Sequence, residues 1–533
     1  MSIPVIDLFA GPGGLGEGFS SIVERKSMKR AFKISLSIEK EFFAHETLTL
    51  RSFYRQFTPG NIPPEYFDFV QGRITIGDLY KAYPDQFESA KKEAWRAQLG
   101  EDDKAVPNKE VDRRISEVLN GIKDWLLIGG PPCQAYSVVG RSRRQDKLLD
   151  EQKDARVGLY KQYLRILAVH NPAVFVMENV KGLLSAKTKS NSVFDNIIKD
   201  LSDPIKTYLS EFGNNSKLLE CPGYKIYSLV AKPRGFDENN KPIFKPEDFL
   251  IHSEKHGIPQ TRHRVILLGI RNGFNIIEPE VLPIEKEVGV GRVLNGLPKI
   301  RSGLSNIEDS KANWLLTLEN ICSNGILNKI DEDVKCEIKK QLQTINSTPA
   351  SVGNEFVLYP VTSEYERDWF LNKRLGGACN HQSRGHMGSD LLRYLFVSCF
   401  GKVRKKSPKL EDFPEELLPA HKNVQSGIRE KKFADRFRVQ IVDAPAKTIT
   451  SHISKDGHYY IHPDPSQCRS LTVREAARIQ TFPDDYFFCG PRTAQFIQVG
   501  NAVPPLLANK IAKVVLQVFD EIHHQKNLSE AMD

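Results

Sequence analysis

Apolar positions in the first 80 residues come in short runs separated by polar, glycine-containing stretches. Ile3 to Phe9 is a short apolar run that reads as a buried strand. The glycine loop Ala10-Gly11-Pro12-Gly13-Gly14 follows, then a helical pattern to about Arg25. Ala31 to Ile38 predicts the next strand, closing on Glu39, and Phe42 to Phe53 the next helix. Strands alternating with helices predict an α/β fold, a doubly wound and mostly parallel sheet.

Tyr83 to Lys123 breaks the rhythm. It is charged, carries Ala and Leu at helical spacing and lacks a strand signal, so it reads as a helical insertion. The sheet resumes at Trp125 to Gly130, a strand running into Gly129-Gly130-Pro131-Pro132-Cys133. Ser142 to Arg156 is polar and charged and reads as a mobile loop. Leu159 to Val169 predicts a helix. Ala173 to Met177 predicts a strand ending at Glu178-Asn179, and Tyr224 to Ala231 and Arg264 to Ile270 predict two more.

After about Gly273 the alternation fades. Residues 286–465 are expected to form a second, smaller domain, with 1–285 and 466–533 making up the first. The middle stretch carries basic runs: Lys402, Arg404, Lys405, Lys406 and Lys409, then Lys431, Lys432, Arg436 and Arg438. Order returns at Thr472, a plausible N-cap with Glu475 three residues on, the spacing of a capping box. Ala502 to Ile522 reads as a long terminal helix that returns to the first domain.

Composition narrows the class. A length of 533 residues suggests two or three domains, and 26% charged residues exclude wholesale disorder. No apolar run approaches the ~18 residues of a membrane span. Asp7 stands where a secretory leader would be apolar, so no signal peptide is expected. Eight scattered Cys fit free thiols in a reducing cytoplasm. The net charge of +9 permits nucleic-acid binding without requiring it.

In open parallel sheets ligands bind outside the carboxyl ends of the strands. Asp7 to Gly14, Glu39, Asp78, Cys133 and Glu178 each follow a predicted strand, so they should line one crevice. Gly11, Gly13 and Gly16 match the G-x-G-x-x-G template, and Glu39 stands where an acid bonds ribose hydroxyls. The pattern fits a nicotinamide nucleotide, another adenosine-bearing ligand, or a plain tight turn. Asp78 could bond an adenine amino group or be an ordinary turn Asp. Two prolines fix the backbone ahead of Cys133, which suits an accessible nucleophile. Glu178 follows an apolar strand, where partial desolvation raises a carboxyl toward a useful proton donor. Strand alternation would put Arg262 and Arg264 on one face, with His263 on the other. Cys379, His381, His386 and Cys399 match no common zinc spacing, so no metal is expected.

Taken together these segments resemble the C5-cytosine DNA methyltransferases. Asp7-Leu8-Phe9-Ala10-Gly11-Pro12-Gly13-Gly14 resembles their cofactor loop, and Gly130-Pro131-Pro132-Cys133-Gln134 with Ser137 their nucleophile motif. Glu178-Asn179-Val180 and Gln260-Thr261-Arg262-His263-Arg264 resemble the acidic and arginine motifs. Arg469 with residues 471–480 and Phe482-Pro483, then Gln498-Val499-Gly500-Asn501-Ala502-Val503-Pro504, resemble the last two. All six lie in the family's order. The interval from Asp78 to Cys133 is longer than usual for the family.

The resemblance implies a Rossmann-like methyltransferase domain beside a target-recognition domain. It implies S-adenosyl-L-methionine as methyl donor, leaving S-adenosyl-L-homocysteine. Asp7, Phe9, Ala10, Gly11, Gly13, Gly14, Glu39, Lys40, Asp78, Leu79, Pro131, Asn501 and Ala502 would hold it. Cys133 would be the nucleophile and Glu178 the proton donor at cytosine N3. Arg264 would contact O2, with Arg262, Pro132 and Asn179 beside them. Gln134, Ser137, Lys402, Arg404, Lys405 and Lys406 would contact double-stranded DNA. The family's habit implies a monomeric, cytoplasmic, nucleoid-associated bacterial enzyme, the modification partner of a restriction endonuclease. Two other readings stay open: RNA (tRNA) cytosine methylation, and a catalytically silent DNA-binding regulator.

Overall fold

The computed structural model describes residues 2–24, 27–100, 102–131, 155–188, 191–212, 220–275, 278–322, 325–419 and 436–530. Eight strands form the main sheet: β1 (Ile3–Leu8), β2 (Phe32–Glu39), β3 (Ala94–Arg96), β4 (Leu126–Gly129), β5 (Val174–Val180), β6 (Tyr224–Tyr227), β7 (Leu250–His252) and β8 (His263–Arg271). Their order is β3-β2-β1-β4-β5-β8-β6, with β7 paired to β8. Every pairing from β3 across to β5 is parallel, while β8 runs antiparallel to β5, β6 and β7. The sheet is doubly wound and mixed. Val174-Phe175-Val176-Met177 is apolar without alternation because both faces of the sheet are covered.

One face packs on the terminal helix. Val5, Ile34, Ile128, Val176 and Ile266 share a core with Ile511, Val515, Phe519 and Ile522. By length and hydropathy the segment Arg492–Ser529 could cross a membrane, but 78% of its most apolar window is buried within the fold, as befits a core helix. The opposite face covers Ile6, Leu36, Leu127, Phe175 and Leu267 with Ile115, Tyr163 and Leu167. Each such side chain, fully buried, contributes roughly 1.5–3 kcal/mol. A separate core around Trp314, Ile338, Tyr394 and Phe396 belongs to the middle region.

Three expectations need correction. The stretch 83–123 is mostly helical, with Pro84–Glu93 and Asn108–Leu119, but it also contributes β3, the edge strand parallel to β2. Three residues, Ala94-Trp95-Arg96, are too short to show a period among helical neighbours. Asp78 follows no strand. It lies in the helix Ile76–Ala82, one of three that run from Pro64 to Glu93. Glu178 and Asn179 lie within β5 rather than after it.

Candidate active site

Phe9 leaves β1 in the left-handed region at φ 58°, an unusual conformation for an aromatic residue, and turns the chain into the glycine loop. The loop is held from outside. Ala10 N donates to the Ile38 carbonyl at 3.1 Å, and the Tyr486 hydroxyl donates to the Pro12 carbonyl. Glu39 bridges the loop and the next helix: one oxygen accepts from Gly11 N at 2.8 Å, the other from Glu41 N at 2.7 Å. Burial raises the Glu39 pKa, against the lowering effect of those amides. A Cβ at Gly14 would stand 2.4 Å from the Val503 carbonyl oxygen and 3.3 Å from Ala502 Cβ, so the late segment packs directly on the loop. Asn501 beside it is exposed and Ala502 buried.

Two features bear on room for a ligand. Gly11, at φ 58°, faces open space where a Cβ would stand. Asp7 is fully buried, and beyond the Gly16 amide that it approaches, its carboxyl has no hydrogen bond of normal geometry. Burial pushes its pKa up to about 8, with Glu39 adding to the effect and Arg55 opposing it. The open glycine loop with the Glu39 carboxylate beside it leaves room for an adenosine-bearing ligand, whereas Asp7, expected to hold that ligand, has no exposed surface and lies beneath the loop.

Glu178 and Arg264 meet across β5 and β8, with Arg264 Nε 2.8 Å from Glu178 Oε1. Both are partly buried. Arg264 Nη1 also donates to the His263 carbonyl at 2.9 Å. The chain leaving β4 runs past this pair: a Cβ at Gly130 would lie 3.1 Å from Glu178 Oε2. Asn179 Nδ2 reaches the Pro131 carbonyl at 3.5 Å. The next residues, Pro132, Cys133 and Gln134, lie outside the described residues, as do Ser137, residues 142–154 of the expected loop, Lys431 and Lys432.

Arg262 does not join Arg264. The short strand Gln260–Thr261 pairs with Ala446–Lys447, and β8 starts afresh at His263, so alternation is interrupted at Arg262. Its buried guanidinium donates to the carbonyls of Ile449 at 2.8 Å and Gly500 at 3.3 Å. Burial, then the Arg264 charge, holds its pKa well below the usual guanidinium value. Arg262 therefore positions Gly500, next to Asn501, and is not a second ring contact.

Asp78 and Leu79 also depart from expectation. Asp78 is exposed, and its carboxylate caps its own helix, accepting from Thr75 N at 3.1 Å and Thr75 Oγ1 at 2.6 Å. Those bonds lower its pKa. Leu79 is buried among Leu50, Phe53, Tyr66 and Phe67. The strand beside β2 is β3, and the chain beyond it enters the core through Ala97 and Leu99. Lys40 is an exposed side chain 4.0 Å from Glu41.

The basic run is largely neutralised. Lys402 pairs with Glu337 at 2.7 Å, Arg404 with Asp331 and Asp333 at 2.7 and 2.9 Å, and Lys405 with Asp443 at 2.8 Å. Lys406 is exposed. This run ties the end of the helix Gly388–Arg404 to its neighbours, which weakens its reading as a DNA grip. Cys379, His381, His386 and Cys399 take separate partners or none of each other: Cys379 bonds Arg474, and His381 bonds Thr472 and the Pro298 carbonyl.

The late helix motif carries more structure than its spacing reveals. Thr472 caps Val473–Ile479, and the capping box with Glu475 is complete. Arg469 grips Glu475 through two bonds of 2.7 and 2.6 Å, and Arg478 grips Asp484 at 2.8 and 2.7 Å. Burial alone would raise Glu475, but Arg469 holds it well below the usual carboxylate range. Arg51 joins Glu17 and Asp485 under the loop. Sequence reasoning missed the Arg51 pairs because partners 34 and 434 residues apart leave no local signal, and it missed the other two because a separation of six residues matches neither helical spacing nor strand alternation.

The C-5 cytosine-specific DNA methylase family model matches residues 91–209 and 244–517. The chain belongs to this family, and it is a DNA cytosine-5 methyltransferase. It is 34% identical over 539 residues to the type II methyltransferase M.Bpa9945I of Bacillus paralicheniformis, covering 97% of this chain and 100% of the relative. It is 25% identical over 536 residues to the type II methyltransferase M.DdeI of Desulfomicrobium norvegicum, covering 97% and 90%. It is also 25% identical to the DNA (cytosine-5-)-methyltransferase M.ApeKI of Aeropyrum pernix, covering 76% and 83%.

Proposed function

We propose that this chain methylates C5 of a cytosine flipped out of a specific duplex DNA sequence, through a covalent bond to Cys133, as the modification enzyme of a restriction system. The observation that carries the reading is the Glu178–Arg264 pair at 2.8 Å, with Gly130-Pro131 running alongside and leading straight into Pro132-Cys133. A base inside a duplex cannot reach such a crevice, so the target leaves the stack.

Cytosine C5 is a poor nucleophile. The Cys133 thiolate adds to C6, and the electron pair it displaces gives C5 enamine character. Glu178 supplies a proton at ring N3, which neutralises the charge that develops there, and Arg264 holds O2 and the ring plane. S-adenosylmethionine, when bound, supplies the methyl group. Glu39, the backbone of Phe9 to Gly14, and Asn501-Ala502 would hold the donor. Loss of the C5 proton to a base, return of the N3 proton to Glu178 and departure of Cys133 then restore the aromatic ring, the acid and the thiolate. The enzyme works as a monomer in the cytoplasm, where a cognate endonuclease recognises the same sequence without a stable complex.

The test is transfer of labelled methyl to unmethylated duplex DNA, with tRNA in parallel and bisulfite sequencing of the product. Methylation of cytosines within one short motif, abolished by Cys133→Ala with DNA binding retained, is the expected result. Label in tRNA alone overturns the DNA assignment, and full turnover by the variant overturns the nucleophile.

A further inference from the structure

His252, Glu254 and His263 play no part in the reaction proposed for this chain, yet they converge. His252 ends β7 and stands directly opposite His263, the first residue of β8. Glu254 lies in the turn that follows β7. Its Oε1 sits 2.9 Å from His263 Nε2 and 3.6 Å from His252 Nδ1, and the three donor atoms all lie within 4.8 Å of one another. The two rings stand 4.0 Å apart between centroids. Alternation places His263 with Val265 and Leu267, on the sheet face opposite Arg264 and Ile266.

We propose that these three side chains bind one divalent transition-metal ion, zinc being the ion whose chemistry fits best, and that the ion clamps β7 to the strand carrying Arg264. Two imidazoles and one carboxylate are a known ligand class for zinc, with the fourth position left to water. Bonds of about 2.0–2.2 Å around a tetrahedral ion put donors roughly 3.4 Å apart. The two distances to Glu254 lie on either side of that value, and side-chain rotation closes the widest gap. A second observation points the same way. Glu254 Oε2, the other oxygen of the carboxylate that faces the two histidines, is buried with no hydrogen-bond partner. A buried carboxylate oxygen without a partner is costly, and a cation held by both oxygens of Glu254 would satisfy it. Both histidines are partly exposed, which leaves an entry path and space for water. The expectation of no metal, drawn from the spacing of Cys379, His381, His386 and Cys399, does not bear on this trio: its members come from two strands and a turn, and no spacing rule covers them.

The clamp would reach the reaction through the backbone. Ser253, between two of the ligands, donates through Oγ to the Arg262 carbonyl at 2.6 Å. An ion joining residues 252, 254 and 263 would fix this contact on both sides.

The test uses the full chain stripped with chelator and titrated with Co2+ and Zn2+, followed by X-ray absorption of the zinc form. One equivalent bound, two imidazoles and an oxygen in the shell, and affinity lowered at least about 100-fold by His252→Asn, Glu254→Gln or His263→Asn support the site. The loaded protein should also melt higher than the stripped one. Absence of stoichiometric binding, sulfur ligands in the shell, or unchanged affinity in folded variants overturns it. If a variant fails to fold, the absorption spectrum of the unsubstituted protein decides.

Discussion

At the scale of single residues, the acids around the crevice divide by what already holds them. Glu39 is fixed by two backbone amides with its carboxylate at the loop, whereas Asp78 is occupied in capping an exposed turn. Glu39→Ala should weaken S-adenosylmethionine binding about 10-fold or more, the loss of a charge-assisted contact of at least ~1.4 kcal/mol. Asp78→Ala should leave that affinity unchanged. Isothermal titration of both variants checks the contrast, and a loss at Asp78 alone would restore the adenine role that the sequence suggested.

Asp7 carries a pH prediction. Its folded pKa of about 8 lies above the ordinary 3.8, so the folded state favours the protonated form. The stability this supplies is complete below the ordinary value and is lost as pH rises through about 8. Asp7→Asn keeps the shape and removes the titration. Relative to the unsubstituted protein, its melting temperature should gain between about pH 5 and about pH 8. Parallel melting profiles across that window would show that Asp7 does not titrate there.

At the scale of elements, buried arginines join segments that the chain separates widely. Arg478 binds Asp484 twice, and also the carbonyls of Val293, Asn295 and Thr362. Arg478→Met would strand a buried carboxylate and three carbonyls, a cost of about 3–5 kcal/mol. Denaturant unfolding should show that loss, while a change under about 1 kcal/mol would mean that water replaces the guanidinium.

The same elements show what could be read in the sequence. β1, β4 and β5 were legible because buried parallel strands are near-continuous apolar runs, β2 because Phe32, Ile34, Leu36 and Ile38 alternate with polar residues, and Thr472 with Glu475 because a capping box is local. β3 was not, since its three residues depend on pairing with β2 for their conformation. Arg262 was misplaced because alternation assumes one continuous strand, and the chain passes from one pairing partner to another at that residue. Glu178 and Arg264 were each named from the sequence, but their pairing with each other was not. Its geometry follows from the register Arg264↔Val180 and Ile266↔Glu178, which no sequence period encodes.

At the scale of the whole molecule, early and late thirds of the chain share one crevice. Gly14 touches Val503, Tyr486 holds Pro12, and Arg262 holds Gly500. The late segment is thus packed onto the glycine loop rather than appended to the fold. The middle region joins the late helix motif through Arg469, Arg474 and Arg478, which hold the carbonyls of Ile300, Cys379 and Val293.

The central claim is that Cys133 forms a bond to the target base during methyl transfer. Duplex DNA containing 5-fluorocytosine tests it, because fluorine at C5 cannot leave as a proton and the adduct cannot resolve. The enzyme is incubated with this DNA and S-adenosylmethionine, denatured and digested, and the peptides are weighed. The predicted result is a methylated fluorocytosine nucleotide on the peptide containing Cys133. An adduct on any other residue, or none while ordinary duplex DNA is still methylated, would contradict the mechanism.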